Sequence, residues 1–520
     1  MTGIASFLLL LALPVHAQFG RGDGVWSTSG GDAQRSSWVR TDPKISPESM
    51  QKPGFGFIWK VKLNNEPRQL NSLTAVSLLD RYIGYRGFRS LGFLGGSSDN
   101  IVALDTDLGR VEWQKRLTPA SAPQGSLECP GGMTATVSRP VTTAFPAMPA
   151  GRGGGGGRGA AAKSAVGAPD EGAVTIAEIA ARAGAGPGGP GGRGGAGRGA
   201  PGGPPRRMPN YIHAVSSDGM FHSLWVSNGE EPDPPVRFLP GGTNVYGLIV
   251  VNNVAYAATG QRCGAAPNAV WALDLESKQV ASWKADGTDI AGTEGTAFGP
   301  DGTLYVATTG GDLMALEAKT LAVKGAYSGG KPGFVSSPVI FEMKDKTLLA
   351  AATKDDRIHL LDTASMSSAV YQTPASADGS ASSSGAFAAW QDASGNAWLL
   401  APAANAIVAW KVSEQSLERA WTSRELVSPL APMVLNGVVF AVSSGEYRTQ
   451  DAKMTAPQRA QRSAPAVIYA LDGATGKELW NSGKTITSFV HGGGISGGSS
   501  QLYLGTYDGT LYAFGFGIEH

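Results

Sequence analysis

Read for polarity alone, the chain alternates short apolar runs with clusters of Gly, Ser, Thr, Asn and Asp. Examples are LYVATTGG (304–311), VVFAVSSG (438–445) and LYLGTYDG (502–509). Runs this short, rich in branched and aromatic residues and closed by turn formers, predict strands and tight turns. A second run follows each with a recurrent ending. Its clearest copy is VIYALDGATGKELWNSG (467–483), and degenerate copies are NIVALDTDLGRVEW (100–113), AVWALDLESKQVASW (269–283), DLMALEAKTLAVKGAY (312–327), RIHLLDTASMSSAVY (357–371) and IVAWKVSEQSLERAW (407–421). With a third strand ahead of each pair, the unit is four strands at a spacing of roughly 45 residues.

A four-stranded antiparallel meander of that period predicts an all-β, eight-bladed β-propeller. Blade 1 runs from about Leu70 to Leu117, blade 2 from about Leu127 to Leu239, and blades 3 to 7 from Gly241 to Gly483. The eighth has only three strands, near Ile495, Leu502 and Leu511, and FGFIWKVKL (55–63) is expected to supply its outer strand, so that the last blade is closed by an N-terminal strand. Closure of this kind leaves the ring without an open edge. Within the repeat, Asp472 should accept hydrogen bonds from the turn, Gly476 should supply a positive φ there, and Trp480 should cover the seam between blades. The expected organisation is a signal peptide at 1–17, an N-terminal extension at 18–54 and the propeller at 55–520, with an insertion at 147–209 inside blade 2.

Composition narrows the function. A net charge of +1 and a charged fraction of 16% offer no global field for nucleic acid or an anionic membrane. MTGIASFLLLLALPVHAQFG ends its apolar run in Val15-His16-Ala17, which predicts export with cleavage after Ala17, to the periplasm or the cell exterior. No later segment has the apolar length to span a bilayer. The insertion carries GRGGGGGRGA and GPGGPGGRGGAGRGAPGGPPRR, which cannot bury enough apolar surface to order themselves. It should leave from the face opposite the segments that enter the innermost strands. A smaller insertion, GEYRTQDAKMTAPQRAQRSAP (445–465), should overhang the entry face.

Candidate chemistry is sparse. Ligands of propellers meet the face bearing the entry segments and the loops joining second to third strands; there stand Arg68, Gln69, Asn71, Cys129, Asn244, Glu294 and His491. Arg68, Glu294 and His491 are expected to converge near the axis around a small polar or anionic ligand; the alternative is that they line a wet channel and satisfy backbone groups. Cys129 and Cys263 fall on the same face of adjacent blades, so a disulfide and two free thiols both remain open. No metal site is expected. HGGG (491–494) and GISGG (494–498) mimic a hydrolase oxyanion loop and nucleophile elbow, but they overlap inside a β meander, which makes Ser496 structural. SGKT (482–485) lacks the first Gly and the helix of a phosphate loop.

The unit Y-A-L-D-x-x-T-G-K-x-L-W from Tyr469 to Trp480 resembles the repeat of the pyrroloquinoline quinone (PQQ) propeller superfamily, and WSTSGGDAQRSSW (26–38) is similar to the entry segment of some members. The resemblance implies either a quinoprotein dehydrogenase, which oxidises alcohols or sugars with PQQ and calcium, or a cofactor-free relative that binds proteins, such as the propeller subunit of the bacterial outer-membrane barrel-assembly machinery. Dehydrogenases of this type carry two adjacent, bridged cysteines, an acidic base and a calcium shell of Glu, Asn and Asp. This sequence has no adjacent cysteines, and no such cluster matches a motif. The resulting expectation is a non-catalytic protein-binding or envelope-assembly scaffold with no cofactor, whose partners are envelope or secreted proteins. Its alternative is a PQQ- and calcium-dependent oxidoreductase, with Glu294 or His491 as base and Arg68, Gln69, Asn71 and Asn244 as cofactor contacts.

Overall fold

A computed structural model describes residues 26–84, 87–118, 125–145, 210–375, 385–449, 451 and 453–517. The expected signal peptide and the Gly/Arg-rich insertion lie outside the described residues. The fold is all-β, with eight antiparallel blades in sequence order: 77–116, 138–237, 244–284, 297–328, 339–372, 388–422, 433–481 and 495–516. The innermost strands of blades 8 and 1 adjoin, which closes the ring. Blade 2 is the irregular one: its innermost strand is reduced to the bridge Ser138–His213 ahead of Tyr211–Val215, Met220–Trp225 and Val236–Arg237.

The continuous apolar strands follow from burial on both faces. In Val467–Asp472, Ile468 and Ala470 join a cluster with Leu511 and Phe514 of blade 8, while Tyr469 and Leu471 pack with Leu400 and Ala409 of blade 6. Strand periodicity thus directs alternate residues into two different inter-blade cores. Closure occurs as the sequence predicts: Phe55–Lys62 pairs antiparallel with Thr510–Phe516, from Phe55 opposite Phe516 to Lys62 opposite Thr510.

The repeat's conserved-looking ending has a second purpose. Asp472 accepts hydrogen bonds from the amides of Ala474 and Thr475 and from the Thr475 hydroxyl. Gly476 takes φ +72°, and a Cβ there would stand 2.7 Å from the Trp421 ring of blade 6. Trp421 completes the contact by donating its indole N–H to the Gly473 carbonyl at 3.0 Å. Trp59 docks in the same way on Gly109 of blade 1, with its indole on the Thr106 carbonyl, and Trp113 on Gly229 of blade 2, with its indole on the Val226 carbonyl. The glycine of one blade is therefore the socket for the outer-strand tryptophan of the blade before it. Trp480 has no such socket, because in blade 8 the chain does not turn from third strand to fourth; it packs instead on Phe55 and Phe514, at 4.9 and 5.6 Å between ring centroids.

The segment expected as an extension ahead of the ring lies inside it. From Trp26 to Asp42 the chain meets all eight blades in order. The carbonyls of Trp26 and Ser27 accept from the amides of Leu78 and Arg139, and the Thr28 hydroxyl donates to the Leu248 carbonyl. The carbonyls of Ala33, Gln34, Ser36 and Ser37 accept from Phe298, Ile340, Ala389 and Val434 of blades 4 to 7. The Asp42 carboxylate then accepts from Ser500 of blade 8.

Candidate functional site

The N-terminal segment is locked by one cation. Arg35, at φ 59°, is 1% exposed. Its guanidinium donates to the Thr296 carbonyl (2.8 Å), the Gly247 carbonyl (2.7 Å), the Thr28 hydroxyl (3.2 Å) and the Ser29 carbonyl. Burial pulls its pKa down to about 10, against the opposing charges of Glu294 and Asp32. Asp32 is half-buried, and its removal from water raises its carboxyl even though Ser36 donates to it twice. The interior of the ring near blades 3 and 4 is thus filled by protein.

The sequence-predicted residues do not form one site. The Glu294 carboxylate accepts from the Ser29 hydroxyl of the threaded segment, and its amide donates to Ser337. His491 belongs to another network, bonding through Nδ1 to Glu446 at 2.9 Å. The expected convergence of Arg68, Glu294 and His491 is therefore not what the side chains make: Glu294 is engaged by the threaded segment and His491 by an acid from blade 7. Gln69 donates to the Gly125 carbonyl, Asn71 to those of Gly131 and Met133, and Asn244 to the Glu128 carbonyl, the Tyr246 hydroxyl and Gln261. These amides fasten the loop that carries Cys129, which is joined to Cys263 across blades 2 and 3 with 5.4 Å between Cα atoms. Arg68 is 8% exposed, and its buried Nη1 has no hydrogen-bond partner.

Glu446 was missed by the sequence reading. It opens the blade 7 insertion, and its side chain is 0% exposed. His491 and Arg459 Nη1 (3.2 Å) bond one carboxylate oxygen, and Arg448 Nε (3.2 Å) the other. Burial would raise this carboxyl; the hydrogen bond and charge of His491, with Arg448, outweigh it and hold the group at about 2. The insertion contains the helix Ala456–Arg462, started by Thr455 and Gln458 in a reciprocal capping box. Its Ala456 packs with Leu70 of blade 1 and Phe489 of blade 8. The insertion therefore lies over the entry face, tied down by Glu446. The T-x-x-Q pattern at Thr455 to Gln458 was the signal that could have revealed the helix.

One further constellation imitates a catalytic triad. Ser216 Oγ lies 2.9 Å from His222 Nε2, whose Nδ1 is 2.6 Å from Glu231. Ser216 and His222 are 2% and 4% exposed, so no substrate reaches the hydroxyl. Blade 5 repeats the spacing with Thr353 and His359 (3.4 Å), the latter bonded to Tyr327 at 2.8 Å. A recurrence at equivalent turns marks a structural device for holding the third strand. Ser496 is likewise fully buried in the innermost strand of blade 8. A cavity of about 440 Å³ between blades 5 and 6, walled by Phe387, Trp410 and Arg419, includes none of the candidate residues.

Among the described residues no three His, Cys, Asp or Glu stand together as ligands, Glu294 is held by Ser29, and the disulfide joins cysteines of different blades. The disulfide is therefore not the bridge between adjacent cysteines that the sequence resemblance describes. Among the described residues no helix is long and apolar enough to cross a membrane.

No family model and no curated protein sequence matches the chain. Solved structures do. Quinohemoprotein alcohol dehydrogenase from Comamonas testosteroni is similar at a TM-score of 0.58 and 12% identity, over 96% of this chain and 82% of its own. A europium-containing methanol dehydrogenase is similar at 0.57 and 12% identity, over 95% of this chain and 98% of its own. BamB from Moraxella catarrhalis is matched at 0.48 and 10% identity, over 90% of this chain and 99% of its own. The likeness is one of fold, an eight-bladed β-propeller.

Proposed function

We propose that this protein is an exported, non-catalytic PQQ-like propeller that binds other proteins, as a scaffold of the envelope or of the secreted fraction. The observation that carries the reading is the use made of the entry-face polar groups. Glu294, Gln69, Asn71 and Asn244 are engaged by the chain's own segments, and what faces solvent is the basic insertion of blade 7. Fold alone does not assign a function, so the weight rests on these side chains. The test is a titration of the purified protein with PQQ and calcium, followed by the cofactor's absorbance and by dye-linked alcohol and sugar oxidation. The reading expects neither stoichiometric binding nor turnover; tight binding with turnover would sink it.

A further inference from the structure

The blade 7 insertion is locally basic. The chain as a whole has 43 Lys and Arg against 42 Asp and Glu, whereas 445–465 holds Arg448, Lys453, Arg459 and Arg462 against Glu446 and Asp451. Of those two acids, Glu446 is buried and already shared by Arg448, Arg459 and His491. Asp451 accepts from the Lys453 amide in its own turn. Two arginines on one carboxylate leave a positive charge uncompensated, and Arg448 reaches solvent at 41% exposed with His491 beside it at 37%.

Apolar surface accompanies the charge. Tyr447 and Val427 are exposed large hydrophobics at 40% and 52%, and the Gly445 amide bonds the Val427 carbonyl, which brings them to one edge of the insertion. Arg462 stacks on Tyr447, its guanidinium carbon 5.5 Å from the ring centroid. Exposed Tyr with Arg is the composition of binding hot spots. Arg68 lies on the blade 1 entry segment whose Leu70 packs against Ala456 of the insertion's helix, and its Nη1 is buried beneath the face rather than offered to solvent. Glu425, two residues before Val427, is exposed as well and leaves the cation surplus in place.

The geometry points to the blade 7 insertion as the docking surface for an acidic peptide segment of a partner protein. Carboxylates of that segment pair with Arg448, Arg462 and His491, while its apolar residues cover Tyr447 and Val427. This rests on the scaffold reading. Charge-assisted pairs of this kind fix orientation and speed encounter as much as they add affinity, so binding should weaken with salt.

The test uses the full chain and a fluorescently labelled poly-glutamate peptide, with poly-lysine as control, read by anisotropy at low and high salt. Poly-glutamate should bind and poly-lysine should not. The double variant Arg448→Gln, Arg462→Gln should weaken binding about tenfold, two rim charges together being worth about 1.4 kcal/mol. Arg110→Gln, an exposed cation on the outer strand of blade 1, should leave it unchanged. Absence of binding, equal binding by the double variant, or an equal loss in Arg110→Gln overturns the proposal. If the double variant still crosslinks to the exported proteins that the wild type captures, this surface is wrong and the scaffold reading stands; if the wild type captures none, the scaffold reading itself fails.

Discussion

Replacing Arg35 by Met tests whether the threaded segment holds the ring together. Met keeps much of the length of the Arg stem and removes every donor. The carbonyls of Thr296, Gly247 and Ser29 then lose the guanidinium while remaining inside the protein. Each orphaned acceptor costs about 1–3 kcal/mol, so the loss is on the order of 6 kcal/mol. Against it stands relief from burying a cation: the fall in pKa to about 10 corresponds to about 3 kcal/mol at ~1.36 kcal/mol per unit. The net expectation is destabilisation of about 3 kcal/mol, in the range seen when one partner of a buried charged network is removed. Arg35→Lys should recover little, since one ammonium cannot span three carbonyls in the fork geometry of a guanidinium. The assay is urea unfolding followed by tryptophan fluorescence, with limited proteolysis near residue 26 as a second readout. A change below about 0.5 kcal/mol, as for an ordinary surface substitution, with unaltered proteolysis would refute the argument that this cation locks the segment.

Gly476→Ala and Gly287→Ala form a matched pair, because both glycines have φ +72° but only Gly476 has a ring within reach of a new Cβ. Both should lose about 1–2 kcal/mol to backbone strain, and Gly476→Ala at least about 1 kcal/mol more through Trp421; equal losses in denaturation midpoints would show that the socket contributes nothing. Burial lowers the pKa of His213 to about 3 and of His359 to about 4, the latter with help from Arg357. Their neutral forms are native, so the stability they confer is present above the unfolded value of 6.5 and lost as pH falls from there toward 3 to 4. Each should cost about 2 kcal/mol by pH 5, and unfolding curves at pH 7.5 and 5 for wild type and His213→Gln check it; an unchanged pH response in the variant would contradict the assignment. The Cys129–Cys263 bond spans 134 residues, and its reduction should lower stability by about 2–5 kcal/mol, measured as a shift in midpoint with a reductant that an unbridged pair would not show.

How much of this was legible depends on where the information resides. The blades were readable because each strand carries its own pattern and each turn its own residues, and the closing strand at 55–63 was readable because blade 8 visibly lacked a fourth. The path of Trp26 to Asp42 was not. Its hydrogen bonds are made backbone to backbone with six of the blades and through the Thr28 and Asp42 side chains with the other two, so no periodicity records them, and only Gly30, Gly31 and the charge pair of Asp32 and Arg35 hint at a tight, non-repetitive course. Glycine at position 476 was read as a turn residue, correctly for its φ, but its role as a socket depends on Trp421, some fifty residues earlier. The candidate site fared least well for the same reason. Glu294 and His491 were read from the blade pattern, yet their partners Ser29 and Glu446 come from the threaded segment and from an insertion, neither of which belongs to the repeat.

The central claim is that the entry face, roofed by the blade 7 insertion, is where this propeller meets other proteins. A photocrosslinking residue substituted for Val427 or Tyr447 in the full chain expressed in its own cells, compared with the same residue at Phe57 on the outer edge of blade 8, tests it most directly. All three positions are exposed. The account predicts a discrete crosslinked partner from Val427 and Tyr447 and none from Phe57. Crosslinks from Phe57 alone, or from no position, would contradict it.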